Sequence, residues 1–250
     1  MLDREIFLRP IAHRGLHDIA KGRIENTLPA FAAAIAKGYG IECDLQPLAD
    51  GTPVVFHDET LDRLIDASGR IDQRSIKDLG HLTYKAAPEV RILTFADFLD
   101  LVASAVPLFV EIKSEWTPPR QDFLARVGKL VRAYKGPLAL MSFDPAVMTA
   151  MREIAPKTPR GIVSGRYEAP GWWLETLGAE RGRRLTDLLD SGPAAPSFYS
   201  YQVKSLPTPV TEYVRKVQGL PVICWTVRSA AERRIAAAWS DAPTFEGYEP

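Results

Sequence analysis

The chain predicts a (β/α)8 barrel of the TIM type, with a short insertion after the second strand. Three observations carry that expectation. Its 250 residues match the usual length of one such barrel. Roughly eight short apolar runs alternate with amphipathic stretches, which favours a parallel barrel over a doubly wound sheet. No repeat, low-complexity segment or flexible linker interrupts the alternation, so residues 1–250 read as a single domain with 58–90 as its insertion.

Taken in order, Arg9 to His13 is the first strand candidate, followed by a polar loop with Gly15 and Gly22. Thr27 is placed as an N-cap and Pro29 suits the first turn of a helix that runs to Lys37 and stops at Gly38. Gly40 to Leu45 forms the second strand. Asp50-Gly51 then turns into Pro53 to Phe56, a small extension rather than a barrel strand. Asp58 to Val90 is polar, broken by Gly69 and Gly80, with a short helix expected at Ser75 to Leu79. Thr94 caps a helix to Val102, Pro107 to Lys113 is a strand, and Gln121 to Arg132 is an amphipathic helix. Strands follow at Leu138–Ser142 and Arg160–Val163, around a helix at Pro145–Ile154. From Gly165 to Pro196 the periodicity blurs, and helical stretches are expected at Trp172–Leu177 and Arg184–Leu189. The pattern resumes with strand Ser197–Tyr201, helix Pro209–Lys216, strand Val222–Val227, helix Ala230–Trp239 and a last strand at Thr244–Glu246.

Composition narrows the function classes. Lys+Arg and Asp+Glu are both 31, so the net charge is zero and no basic footprint for nucleic acid or an anionic membrane surface is expected. No apolar run is long enough to span a bilayer, and the charged start (Asp3, Arg4, Glu5) lacks the core of a secretory signal. Cys43 and Cys224 sit in strand-like runs without metal-ligand spacing and are read as buried, reduced thiols of a cytoplasmic protein.

The chemistry gathers at strand ends. Residues two apart on a strand share a face, so Glu42 and Asp44 project together, as do Glu111 and Lys113. Charges on a buried parallel strand must be paired or bound to a metal. The C-terminal ends of barrel strands are where such folds place active sites. The carboxylates Glu42, Asp44 and Glu111 make an oxygen-rich set for a hard cation, Mg²⁺ or Ca²⁺. Arg14 and Lys113 suit a phosphate, and His13 and His57 suit general acid–base work near neutral pH. His17 and His81 are given structural roles.

These motifs resemble the glycerophosphodiester phosphodiesterases. The matching stretches are His13-Arg14-Gly15, Glu25-Asn26-Thr27, Glu42-x-Asp44, Asp50-Gly51 leading to His57-Asp58, Leu61-x-Arg63, Gly69-Arg70-Ile71, Glu111-x-Lys113 and Trp225-Thr226-Val227. They keep the family's order and cover most of the chain; beyond Ser142-Phe143 and Trp225-Thr226 the second half matches loosely. The resemblance implies metal-dependent hydrolysis of small glycerophosphodiesters to sn-glycerol 3-phosphate and an alcohol. It implies a divalent metal on Glu42, Asp44 and Glu111, acid–base catalysis by His13 and His57, phosphate held by Arg14 and Lys113, and Phe143 and Trp225 at the substrate. The family's usual ending is replaced by Asp241 to Gly247, where Phe245 and Glu246 are taken to end the eighth strand. A related lysophospholipase D- or sphingomyelinase D-like activity on lipids is the alternative, with Trp172-Trp173 as an apolar entrance. A third reading is a non-catalytic phosphodiester sensor, disfavoured because every catalytic position is filled.

Overall fold

The computed structural model describes residues 2–167 and 171–250, and of Trp172 only the backbone. Among these residues the elements run α1 (Arg4–Phe7), β1 (Ile11–Ala12), α2 (Leu28–Ala36), β2 (Gly40–Pro47), β3 (Pro53–Val55), α3 (Phe95–Val102), β4 (Leu108–Ile112), α4 (Gln121–Ala133) and β5 (Leu138–Ser142). There follow α5 (Pro145–Ile154), β6 (Arg160–Ser164), α6 (Trp172–Thr186), β7 (Phe198–Gln202), α7 (Pro209–Lys216), β8 (Val222–Val227), α8 (Ala230–Trp239) and β9 (Ala242–Phe245). The hydrogen-bonded strand order is β1-β9-β8-β7-β6-β5-β4-β2-β3, with β1 also paired to β2. Eight strands therefore close on themselves as a (β/α)8 barrel, and β3 is the extra strand, antiparallel to β2 as the sequence suggested.

The chain forms two compact units, one of residues 12–113 and 120–138, the other of 1–11, 114–119 and 139–250. In the first, β2 and β4 run parallel with Asp44 opposite Glu111. Glu42, two residues before Asp44, shares that face. Helices α2 and α3 meet through Phe31 and Phe98, ring centroids 4.5 Å apart. Thr94 and Asp97 form a capping box at the start of α3, which accounts for the sharp beginning of that helix. Gly15 has φ +79°, and a Cβ there would come within 3.0 Å of Ala30 and Phe31, so only glycine lets the loop after β1 lie against α2. In the second unit β5 to β9 are parallel neighbours, and β9 ends at Phe245.

Several local expectations need correction. The first strand is two residues long, not five. Thr27 occupies the N-cap of α2, but its hydroxyl donates to the Ile24 carbonyl at 2.6 Å instead of capping the helix. The helix expected at Ser75–Leu79 is absent; two short 3-10 turns, Ile71–Gln73 and Asp78–His81, stand in the insertion. That segment holds together by side-chain burial rather than helix. Leu61, Ile65, Ile71, Leu82 and Tyr84 pack with Phe56 and Val54 of the hairpin in one apolar cluster. In the blurred region α6 is two helical pieces joined at Gly178, which leaves helical geometry at φ 75°, ψ 159°. Its second piece ends at Thr186, three residues short of Leu189. No helix of the described residues is long and apolar enough to cross a membrane, and both cysteines are free and buried.

Candidate active site

The charged residues expected at the strand ends come together within the first unit. On β2 and β4, Glu42, Asp44 and Glu111 each offer a carboxylate oxygen within 4.8 Å of the others. Glu42 and Asp44 are only 2% and 1% exposed, so their charge has to be answered inside the protein. Lys113, two residues after Glu111, places Nζ 2.7 Å from Asp44 Oδ1 and 2.6 Å from Glu111 Oε1. Arg14 supplies the opposite side. Its backbone N–H donates to Glu42 Oε2 at 2.9 Å and its Nε lies 3.3 Å from Asp44 Oδ2. His13 Nε2 lies 3.9 Å from the same Glu42 oxygen.

The backbone is bent to make this possible. Arg14 and Asn26 both adopt positive φ, 54° and 57°, which non-glycine residues take only where the surroundings hold them. The Asn26 N–H donates to the Arg14 carbonyl at 2.9 Å, and its side-chain amide donates to Asp44 Oδ2 at 2.8 Å. His57 arrives from the hairpin. Gln46 Nε2 donates to its carbonyl at 3.0 Å, and its Nδ1 lies 2.7 Å from Asp58 Oδ1. A carboxylate partner on Nδ1 places the proton of neutral His57 there and leaves Nε2 to exchange protons.

The electrostatics of Glu42 and Asp44 diverge. Burial pushes Glu42 up, and repulsion from Asp44 and Glu111 pushes it further, well above the usual carboxylate range. Burial also acts on Asp44, but Lys113 foremost, then His57 and Arg14, hold it well below that range. Burial works against the charge of Lys113 too, yet Asp44 and Glu111 hold it above the ordinary lysine value. Glu25, Glu42, Asp44, Asp58 and Glu111 thus face Arg14, Arg63 and Lys113, with two more carboxylates than cations in that set. A divalent cation fits this donor set, because it is all oxygen, buried and short of positive charge.

Four residues quoted above as motif members without a role turn out to build the site: Glu25, Asn26, Asp58 and Arg63. Glu25 Oε1 accepts from Arg14 Nη1 at 2.7 Å. Asp58 was signalled by its place directly after His57. Glu25 and Arg63 lie 38 residues apart and carried no pairing signal in the sequence.

Phe143 and Trp225, the aromatic residues expected at the substrate, lie in the second unit, where their rings meet edge to face at 5.2 Å. Trp225 Nε1 donates to the Ser200 carbonyl at 3.2 Å. In the same unit Trp173 packs edge-on against Tyr167 at 5.8 Å, while the Trp172 side chain lies outside the described residues. Glu246 follows β9 and accepts from Arg228 Nη2 at 2.9 Å.

A sequence model of the glycerophosphoryl diester phosphodiesterase family matches residues 13–241. A probable glycerophosphodiester phosphodiesterase 1 of Mycobacterium tuberculosis is 26% identical, over 92% of this chain and 86% of its own. Glycerophosphodiester phosphodiesterase 1 of Bos taurus is 28% identical, over 89% of this chain and 72% of its own. Among solved structures, a putative glycerophosphoryl diester phosphodiesterase from Silicibacter pomeroyi superposes with a TM-score of 0.76 at 23% identity, covering 95% of this chain and 89% of that one. An Oleispira antarctica phosphodiesterase in complex with the product sn-glycerol-3-phosphate superposes with a TM-score of 0.74 at 20% identity, covering 95% and 92%.

Proposed function

The chain belongs to the glycerophosphoryl diester phosphodiesterase family, and on that footing we propose that it hydrolyses glycerophosphodiesters to sn-glycerol 3-phosphate and an alcohol, with a divalent cation and two histidines. The observation that carries the reading is the buried trio Glu42, Asp44 and Glu111 set among Arg14, Lys113, His13 and His57. The Oleispira antarctica relative, crystallised with sn-glycerol-3-phosphate, lends its ligand to the proposal.

A divalent cation on the three carboxylates, Mg²⁺ or Ca²⁺, would supply positive charge to the phosphoryl oxygens. The remaining work falls to the chain. Arg14, oriented by Glu25 and Asp44, and Lys113 hold the phosphate. One histidine takes the proton of the nucleophile as its oxygen bonds to phosphorus. The other protonates the alkoxide as the second P–O bond breaks. His57, with Asp58 on Nδ1, works through Nε2 in either role. The nucleophile is either the neighbouring glycerol hydroxyl, giving a cyclic phosphate that water then opens, or water itself. The internal route draws on effective molarities of order 10⁵ M or more. Single-turnover analysis for cyclic glycerophosphate separates the two.

Turnover of glycerophosphocholine by chelator-stripped protein, titrated with Mg²⁺ and Ca²⁺, tests the whole reading. His57→Ala is expected to lower it about 10²–10⁴-fold; activity within tenfold of wild type would remove His57 from the chemistry. Trp225 is assigned to the glycerol side of the substrate and Phe143 to substrate binding, and their truncation should raise KM. A lipid-directed activity would need an open apolar entrance, and Trp173 is already packed against Tyr167. Comparing soluble diesters with lysolipid vesicles decides that point. A single-domain, cytoplasmic enzyme acting on a small molecule completes the proposal.

A further inference from the structure

Arg63 comes from the insertion, between the fully buried Leu61 and Ile65, and its side chain reaches back to the site with both edges of its guanidinium occupied. Towards Asp58, Nε donates to Oδ2 at 2.6 Å and Nη2 to Oδ1 at 3.1 Å. Towards Glu25, Nη1 donates to Oε2 at 2.9 Å and Nη2 to Oε1 at 2.7 Å. The oxygens that Nη2 reaches are the ones already in use. Asp58 Oδ1 is the partner of His57 Nδ1, and Glu25 Oε1 is the partner of Arg14 Nη1, each at 2.7 Å. One nitrogen thus joins an unbroken line from His57 through Asp58, Arg63 and Glu25 to Arg14. We infer that Arg63 is a positioning residue: the insertion uses it to fix the proton-transfer histidine and the phosphate-binding arginine in one relative geometry.

The geometry argues against an ordinary surface ion pair. Such pairs contribute little because two long side chains must be held in one arrangement. Here the planar fork holds two short carboxylates, each also bound to a group of the site. The insertion's apolar cluster anchors the stem from which Arg63 springs. Lysine, a point charge without the planar fork, cannot reproduce the two paired sets of hydrogen bonds that Arg63 makes.

The inference rests on the roles proposed for His57 and Arg14, and the test separates the two claims. With divalent cation present, kcat and KM for glycerophosphocholine are measured for wild type, Arg63→Ala, Arg63→Lys, His57→Ala and the Arg63→Ala/His57→Ala pair. Arg63→Ala is expected to lower kcat about ten- to a hundredfold, and Arg63→Lys to recover less than a tenth of the loss. In the His57→Ala background removal of Arg63 is expected to cost less than it does in the wild type, only the share that acts through Arg14 remaining, as residues acting through one another are non-additive. Multiplying losses, or full recovery with lysine, overturns the inference. A second readout is independent of turnover: ¹⁵N spectra of the His57 ring at neutral pH should show the proton on Nδ1 in the wild type and a mixed tautomer in Arg63→Ala. An unchanged tautomer in a folded variant also overturns the inference. Loss of the acid–base reading itself shows in His57→Ala alone.

Discussion

Glu42 bears the greatest electrostatic strain in the site. It is buried beside Asp44 and Glu111, the charges of Arg14 and Lys113 offset that only in part, and the Arg14 N–H donates to it at 2.9 Å. Its folded pKa is raised above the unfolded value of about 4.3. The folded state therefore binds that proton more readily than the unfolded chain. Its contribution to stability is full below the unfolded pKa and is lost as pH rises through the folded one. Asp44 has the opposite sign: held low, it stabilises above the unfolded pKa and loses that contribution as pH falls through its folded value. At neutral pH, in the metal-free protein, Glu42→Gln is thus expected to raise stability. On the proposed metal site, the same change should abolish the stabilisation that saturating Mg²⁺ or Ca²⁺ would give the wild type, about 2.7 kcal/mol at a hundred times Kd. Urea unfolding with chelator and with added cation reads both. A Gln variant that still gains fully from the cation would remove Glu42 from the ligand set.

At the scale of elements, the β2–β3 hairpin delivers His57, and its turn is held against α4. Arg120 donates to the carbonyls of Leu48 and Ala49 at 2.9 and 2.7 Å while gripping Asp122. Gly51 has φ +81°, and a Cβ there would meet Asp122 Oδ2 at 2.5 Å and the Phe123 N at 3.2 Å. Gly51→Ala combines left-handed strain with a close approach and should lower stability by about 1–3 kcal/mol in urea unfolding. An unchanged midpoint would mean that the turn yields freely. The same scale shows what the sequence could reveal. Amphipathic α4 was legible because burial on one face imposes a period, and PLFVEIK around β4 because a strand buried on both faces reads as a nearly continuous apolar run. So was the carboxylate cluster, since Glu42, Asp44 and Glu111 stand at regular strand positions. The insertion was not legible, because 3-10 turns and isolated bridges leave no period to read. The Glu25–Arg63 fork was hidden for a related reason: nothing local in either residue's neighbourhood encodes a partner 38 positions away.

At the scale of the whole molecule, the question is whether the two compact units unfold as one domain. Domain boundaries normally fall in linkers where few contacts cross. Here the division passes between Ile11 and Ala12, inside β1, and between Leu138 and Ala139, inside β5. The chain also changes unit at Lys113–Ser114 and Pro119–Arg120, so neither unit is a continuous stretch of sequence. The division cuts β1 and β5 rather than linkers, so a single cooperative transition is expected. The two cysteines provide a probe in each unit. Cys43 lies in one and Cys224 in the other, both fully buried. Burial pushes the Cys224 thiol up to about 11. Burial, and then the nearby Glu42, Asp44 and Glu111, push Cys43 well above its ordinary value. Both thiols, buried and raised, are expected to stay unreactive in the native state at mildly alkaline pH, so that labelling reports opening. Thiol exchange followed by peptide mass analysis across a urea series should give both cysteines the same opening free energy and the same denaturant slope as denaturation approaches. Tryptophan fluorescence, whose five reporters Trp116, Trp172, Trp173, Trp225 and Trp239 all lie in the unit of Cys224, should melt together with Cys43 labelling. A Cys43 that becomes reactive at clearly lower urea than the fluorescence midpoint would show the unit of residues 12–113 and 120–138 opening by itself, and the single-domain reading would fail.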